Sequence, residues 1–286
     1  MKITVLTVLF FALCCALPAG AQEPFEKDTI KTSATAVLAT DIVAHRGASH
    51  DAPENTLASF KLGLRQGADA IEGDFMLTKD GKIVCIHDKT TERLAERTLT
   101  VAKSTLAELK QLDVGSWKGT QWAGERIPSI HEVLAIVPEN KKILIEIKCG
   151  PEIIPLLKVA LAESGLKSAQ TVVIAFDAQV VAGVKKQIPR IKAFWLTDFK
   201  QDEVTGMWSP TLEEVITTLK EIDADALDCR AHALVDHTFV SELRKAGMEF
   251  HVWTVDEPGL AKQFQELGVD SLTTNRPGWL KEQLQD

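Results

Sequence analysis

The sequence predicts an α/β fold in which about eight parallel strands, each followed by a helix, close into a TIM (β/α)8 barrel. Short apolar segments alternate with helical ones from residue 42 to residue 274, and strands separated by helices are expected to run parallel. Polar residues follow many of these strands, whereas an open doubly wound sheet would gather them at one switch point. The length of 286 residues fits one such barrel.

The first predicted elements surround an irregular segment. Strands are predicted over 42–44, 70–75 and 83–86. A helix follows the first strand, beginning at Asn55 or Thr56 and ending at Gly67, and Asp80-Gly81 predicts a hairpin turn before the third strand. Residues 89–128 then break the alternation, with one helical stretch over 104–112. We expect them to form a small insertion after the strand that ends at His87.

The remaining elements alternate regularly. The predicted strands are 143–147, 171–176, 193–196, 226–228, 250–255 and 271–274, and the predicted helices are 129–137, 152–163, 178–187, 212–221, 238–246 and 259–267.

The N-terminus has the pattern of a secretory signal peptide. Lys2 precedes an apolar run over 5–17, and the small residues of 19–21 suit a cleavage site. The run is shorter than the roughly 20 residues that span a bilayer, although an uncleaved anchor remains the alternative. We expect a signal peptide over 1–21, a linker over 22–39 and a barrel domain over 40–286. The mature protein would be secreted or periplasmic, without a stable membrane anchor.

Charge and cysteine content exclude some classes of function. A formal net charge of -8 makes a nucleic-acid partner unexpected, because few counterions would be released on binding. Removal of the signal leaves Cys85, Cys149 and Cys229, so at least one thiol is free, and no CxxC spacing indicates a zinc site. The oligomeric state is not predicted.

Acidic residues on two apolar strands form a candidate metal site. Glu72 and Asp74 are two residues apart, so their side chains share one face of a strand. Such neighbouring carboxylates need a cation or a proton, and carboxylate oxygens suit Mg²⁺ or Ca²⁺. Glu146 would be a third carboxylate, and Lys148 on its face is either a salt-bridge partner or a phosphate contact. The alternative is a set of salt-bridged core acids.

Basic and aromatic residues also follow strands. His45 and Arg46 end the first strand, and the following Gly47 permits a sharp turn. His87 ends the third strand, and Trp253 lies on a late one, where packing is its simplest role. Strand ends of a barrel form one mouth, so these side chains are expected to meet the carboxylates there.

A series of short motifs runs from about residue 42 to residue 280. They are His45-Arg46-Gly47, Ala52-Pro53-Glu54-Asn55-Thr56, the stretch from Gly67 to Asp74, Thr78-Lys79-Asp80-Gly81, His87-Asp88, Gly124-Glu125-Arg126-Ile127-Pro128, Ile145-Glu146-Ile147-Lys148, Val252-Trp253-Thr254-Val255 and Gly268-Val269-Asp270. In order and spacing these motifs resemble the glycerophosphodiester phosphodiesterase family.

The resemblance implies metal-dependent hydrolysis of a glycerophosphodiester to glycerol phosphate and an alcohol. A glycerol hydroxyl would attack the phosphorus, and water would open the resulting cyclic phosphate. The implied roles are metal ligands for Glu72, Asp74 and Glu146, acid–base catalysis for His45 and His87, phosphate binding for Arg46 and Lys148, and a wall of the glycerol pocket for Trp253.

Some details depart from the family pattern or leave alternatives open. Asn275 stands where Asp is commoner, and Asp256 stands where Asn is frequent, which affects the loops around the mouth. Trp117 and Trp122 make the insertion either a cover that selects the leaving alcohol or a packed scaffold. The rival functions are a sphingomyelinase-D-type lipid phosphodiesterase, a metal-dependent aldolase or isomerase, and a catalytically silent binding protein.

Overall fold

Eight parallel strands close into a barrel in the computed structural model, which describes residues 40–285. The predicted signal peptide and linker lie outside the described residues. In chain order the strands of the described residues are β1 (Asp41–Ala44), β2 (Ala70–Leu77), β3 (Ile83–Cys85), β4 (Lys142–Ile147), β5 (Thr171–Ala175), β6 (Lys192–Thr197), β7 (Lys200–Gln201), β8 (Trp208–Ser209), β9 (Ala226–Arg230), β10 (Glu249–Trp253) and β11 (Ser271–Thr274). Of these, β3, β7 and β8 are not among the eight parallel strands of the barrel.

Helices cover the outside of the barrel. They are α1 (Leu57–Arg65), α3 (Ile130–Leu134), α4 (Ile154–Glu163), α5 (Ala178–Gln187), α6 (Leu212–Glu221), α7 (His237–Lys245), α8 (Pro258–Glu266) and α9 (Pro277–Gln283), whereas α2 (Leu106–Leu109) lies in the insertion. Within residues 40–285, no helix combines the length and apolar character that crossing a bilayer requires.

The strand order is β1-β11-β10-β9-β6-β5-β4-β2, and β1 pairs with β2 to close the ring. The predicted TIM barrel is therefore confirmed. Inward side chains such as Val43, Leu144 and Phe194 fill its centre, and a larger apolar layer lies between the strands and the helices. This packed interior leaves the ends of the strands to form the mouth.

β3 is not a barrel strand, so the prediction that His87 ends a parallel strand is wrong. β3 runs antiparallel to β2, with Phe75 opposite Cys85, and the Ile86 amide donates to the Asp74 carbonyl at 2.8 Å. β2 extends beyond the mouth, and β3 returns along it. The chain therefore arrives at His87 while running in the direction opposite to that of the barrel strands.

The insertion has a small core of its own. Val84 and Ile86 of the β3 segment pack with Val101, Leu109 and Ile127. The predicted helix over 104–112 is shorter than expected, since only α2 is helical there. The sequence analysis also missed helix α9 and the β7–β8 hairpin.

Candidate active site

A cavity of about 390 Å³ lies at the carboxyl ends of the barrel strands. Its lining residues are His45, Arg46, Glu72, His87, Glu146, Lys148, Ile174, Phe176, Leu196, Asp228, Arg230, Trp253, Thr254 and Thr273. Asp74 is the one predicted site residue outside this lining. It is only 1% exposed and contacts two lining residues, so the predicted residues do come together.

Glu72, Asp74 and Glu146 form an acidic triad. Asp74 on β2 is in register with Glu146 on β4, and one ligand atom from each of the three residues lies within 4.8 Å of the others. Glu72 Oε1 and Asp74 Oδ1 are buried without a hydrogen-bond partner among residues 40–285. Unpaired buried carboxylate oxygens in this arrangement fit a hard divalent cation.

Electrostatics within the triad also fit a cation. Burial, and then the charges of Asp74 and Glu146, raises the pKa of Glu72 well above its usual value. Burial, and then Asp74, raises the pKa of Glu146 to about 7. Burial acts in the same direction on Asp74, but Arg46 and Lys148 outweigh it and lower the pKa of that carboxyl. The three carboxylates, when ionised, would therefore carry more negative charge than Arg46 and Lys148 neutralise.

Arg46 and Lys148 flank the triad. Arg46 Nε lies 3.2 Å from Asp74 Oδ2, and the Arg46 amide donates to Glu72 Oε2 at 2.8 Å. Lys148 Nζ donates to Glu146 Oε1 at 2.7 Å, which is the salt-bridge alternative of the sequence analysis. The positively charged side chains of Arg46 and Lys148 are thus adjacent to the position where an anionic group would approach the triad.

The turn after β1 requires glycine at position 47. Arg46 and Gly47 have φ values of 55° and 79°. A Cβ on Gly47 would lie 2.4 Å from the Ser59 carbonyl carbon at the start of α1. This close approach directs the Arg46 amide toward the triad.

His45 is held by a relay of polar side chains. Its Nδ1 lies 2.7 Å from Asn275 Oδ1, while Asn275 Nδ2 donates to Asp256 Oδ2 at 2.6 Å. Because a carboxylate only accepts, Asp256 fixes the orientation of the Asn275 amide, and His45 Nδ1 carries the hydrogen. Burial, and then the charge of Arg46, lowers the pKa of His45. The imidazole is therefore neutral at pH 7, with Nε2 free to accept a proton.

His87 is connected to Arg46 by a network of charged residues. Its Nδ1 lies 2.9 Å from Asp88 Oδ1, and Arg93 Nε donates to Asp88 Oδ2 at 2.8 Å. Arg93 also donates to both oxygens of Glu54, at 2.7 and 2.8 Å, and Glu54 accepts from Arg46 Nη1 at 3.0 Å. Sequence reasoning missed Arg93, because nothing local marks an arginine of the insertion as a partner of Glu54.

The opposite wall of the cavity is aromatic. The rings of Trp253 and Phe176 pack edge to face at 5.6 Å between centroids, and the Arg230 guanidinium lies 4.9 Å from the Trp253 ring centre. Neither Trp117 nor Trp122 is among the described residues that line the cavity. Trp117 instead donates through Nε1 to the Val114 carbonyl at 2.8 Å, which is a packing contact within the insertion.

Comparison with known proteins decides the family. The model of the Glycerophosphoryl diester phosphodiesterase family matches residues 45–279. The chain belongs to this family. Among glycerophosphodiester phosphodiesterases, it is 33% identical to one from Caldanaerobacter subterraneus subsp. tengcongensis over 245 residues, which cover 84% of this chain and 96% of that protein. It is 29% identical over 252 residues to one from Bacillus subtilis, covering 82% of this chain and 83% of that one.

A solved structure of a phosphodiesterase shares the fold. The phosphodiesterase of Oleispira antarctica, solved in complex with the product sn-glycerol-3-phosphate, superposes with a TM-score of 0.75. It is 27% identical and matches 86% of this chain and 97% of its own.

Proposed function

We propose that this glycerophosphodiester phosphodiesterase family member hydrolyses glycerophosphodiesters to glycerol phosphate and an alcohol. The observation that carries the proposal is the arrangement of side chains in one cavity. There, two histidines with defined partners flank the acidic triad and the basic side chains of Arg46 and Lys148. The similarity to a phosphodiesterase solved with sn-glycerol-3-phosphate supports the choice of substrate.

Glu72, Asp74 and Glu146 would hold Ca²⁺ or Mg²⁺, since all three offer only oxygen ligands. A divalent cation held there supplies positive charge and Lewis acidity to a phosphate group. Arg46 binds a second phosphate oxygen through its planar guanidinium, and Lys148 adds a point charge. Trp253 forms a wall beside the glycerol unit.

His45 is the general base in this proposal. Its Nε2 takes the proton from a glycerol hydroxyl, whose oxygen attacks the phosphorus. His87 donates a proton to the oxygen of the leaving alcohol as its bond to phosphorus breaks. Water then opens the cyclic phosphate, with His87 taking the water proton and His45 returning its proton to the glycerol oxygen. Each positioned histidine contributes about 10²–10⁴-fold.

Product identification tests the proposal. The purified protein is incubated with glycerophosphocholine, glycerophosphoethanolamine and lysophosphatidylcholine, with and without a chelator, and products are followed by ³¹P NMR. We expect glycerol phosphate from the first two diesters, and loss of turnover after chelation. Cleavage of the lysophospholipid alone would favour the sphingomyelinase-D-type alternative, and no phosphodiester cleavage would refute the proposal.

Residues 1–21 are proposed to be a signal peptide, so the enzyme would be secreted or periplasmic and begin near Gln22 after a linker that ends at residue 39. The order of Lys2, the apolar run and the small residues supports this. N-terminal sequencing of the exported protein checks it, and an intact Met1 would contradict it.

A further inference from the structure

Asp228 contributes a buried carboxyl group to the active-site cavity that the proposed mechanism does not use. It lies on β9, is 1% exposed and lines the cavity. In the closed strand order β9 is four strands from β2 in both directions, so Asp228 faces the acidic triad from across the barrel. Its Oδ1 has no hydrogen-bond partner among residues 40–285.

No neighbouring basic side chain among residues 40–285 forms an ion pair with the Asp228 carboxyl. Arg230, two residues on, pairs instead with Asp198 at 2.9 Å. His251, its register partner on β10, shares a 2.7 Å hydrogen bond through Nδ1 with Ser271. Burial raises the pKa of Asp228 to about 7; the charge of His251 opposes this shift, and the smaller effect of Glu146 adds to it. Leaving a buried acceptor unpaired is unfavourable, so a bound hydrogen-bond donor would stabilise it.

The missing donor is small and neutral. A quaternary ammonium group would seek aromatic faces, but Arg230 already lies over Trp253, and Lys148 Nζ lies 5.9 Å from the Phe176 ring centre. Residues two apart on a strand point to the same face. Asp228 therefore lies one inward-facing position further from the mouth than Arg230, and Ile174 lies further from the mouth than Phe176 in the same way. The deep end of the cavity suits the glycerol unit, which all of the proposed substrates share. The leaving alcohol differs between substrates and departs through the open mouth.

We infer that Asp228 accepts a hydrogen bond from the terminal hydroxyl of the glycerol unit and thereby selects glycerol over shorter or less polar diols. The inference rests on the proposed function. Asp228 would be a specificity-determining residue, since the proposed phosphate-binding residues Arg46 and Lys148 and the two histidines follow other strands.

A substrate pair tests this assignment. Glycerophosphocholine is compared with its analogue made from propane-1,2-diol, which keeps the attacking hydroxyl and lacks the terminal one. At pH 8, where the Asp228 carboxyl is ionised, a hydrogen bond to this charged group is worth about 1.5–3 kcal/mol, so the wild type should prefer glycerophosphocholine about 10- to 100-fold in kcat/KM. Asp228→Leu should reduce that ratio to near one, and Asp228→Asn should give an intermediate ratio.

Asp198→Asn is the matched control, because it removes a carboxylate near the same wall that does not line the cavity. Its ratio should equal that of the wild type. A wild type inactive on both diesters would refute the proposed function and the inference with it. A wild type active on both, with the same ratio in Asp228→Leu, would overturn the inference alone. Thermal melting of each variant verifies that it is folded.

Discussion

At the scale of single residues, the two histidines differ in their partners. His45 is half-buried and neutral, with its proton directed at Asn275, whereas His87 is 31% exposed and faces the carboxylate of Asp88. A neutral imidazole with a free Nε2 suits a base. The contact between Asp88 and His87 Nδ1 orients the His87 ring instead. The different environments therefore support different roles.

His45→Ala and His87→Ala should each lower kcat at least about 100-fold and leave the melting temperature nearly unchanged. Neither imidazole belongs to the apolar clusters of the barrel. Steady-state kinetics with glycerophosphocholine measures the effect. His50→Ala is the control, because His50 is exposed, pairs with Asp51 and does not line the cavity. Full turnover in either variant would remove that histidine from the mechanism.

Asp228 should make stability depend on pH. Its pKa rises from 3.8 to about 7 on folding, so the folded state holds a proton that the unfolded state has lost between these values. Stability should therefore fall as the pH rises through this range, by on the order of 1.4 kcal/mol for each pKa unit. Asparagine does not ionise, so Asp228→Asn should not lose stability in this way. Its melting temperature should exceed that of the wild type at pH 8, and the difference should be smaller at pH 4. Melting curves in chelator check this, and a constant difference would contradict it.

At the scale of elements, the insertion reaches the substrate region through residues other than its tryptophans. Lys89, Thr100 and Ala102 line a second cavity of about 610 Å³, which also includes Glu146, Lys148 and Phe176 of the active site. Because the two cavities share this wall, we expect the leaving alcohol to extend into the second cavity. That the insertion selects substrates stays a prediction. It now rests on Lys89, which lines the second cavity, and no longer on the two tryptophans.

Lys89→Ala should lower kcat/KM for glycerophosphoserine relative to glycerophosphocholine by roughly 2- to 5-fold, because one exposed cation attracts a carboxylate weakly and salt screens it. The ratio of the two rates at low salt measures this effect. Lys82→Ala removes an exposed cation that lines neither of these two cavities, and its ratio should not change. Equal ratios in both variants would leave the insertion as scaffold.

Sequence predicted the barrel elements well where burial imposes a pattern. In β4 the outward Ile143, Ile145 and Ile147 alternate with inward Glu146, which marks both the strand and its functional residue. The placing of β3 among the parallel strands of the barrel was mistaken, although the hairpin turn predicted at Asp80-Gly81 already indicated an antiparallel partner. Partners distant in sequence were beyond reach: Arg93 meets Glu54 across 39 residues, and no local pattern encodes such a pair.

At the scale of the whole molecule, the acidic triad joins neighbouring strands of a closed barrel. β2 and β4 are paired along six registered positions, from Ala70–Lys142 to Phe75–Ile147. A ligand that bridges them binds only the folded protein, because the unfolded chain separates Glu72 and Glu146 widely. Cation binding should therefore stabilise the complete fold.

Adding Ca²⁺ or Mg²⁺ to chelator-treated protein should raise the melting temperature. At 100 times the dissociation constant, binding contributes about 2.7 kcal/mol, which corresponds to roughly 5–10 °C for a domain of this size. Asp74→Asn should lose most of that shift because it removes one ligand charge. Differential scanning calorimetry measures both proteins, and an equal shift in the variant would place the cation elsewhere.

The hydrogen bond between Asp256 and Asn275 has a consequence for divergence between relatives. In the family pattern the acid and the amide occupy the opposite positions. Changing Asn275 alone to Asp would oppose two carboxylates across 2.6 Å, and changing Asp256 alone to Asn would turn an amide donor toward the Asn275 amide or the Thr274 hydroxyl. Either intermediate is disfavoured, so the two positions are expected to be inherited as a unit, with lineages holding one pairing or its mirror.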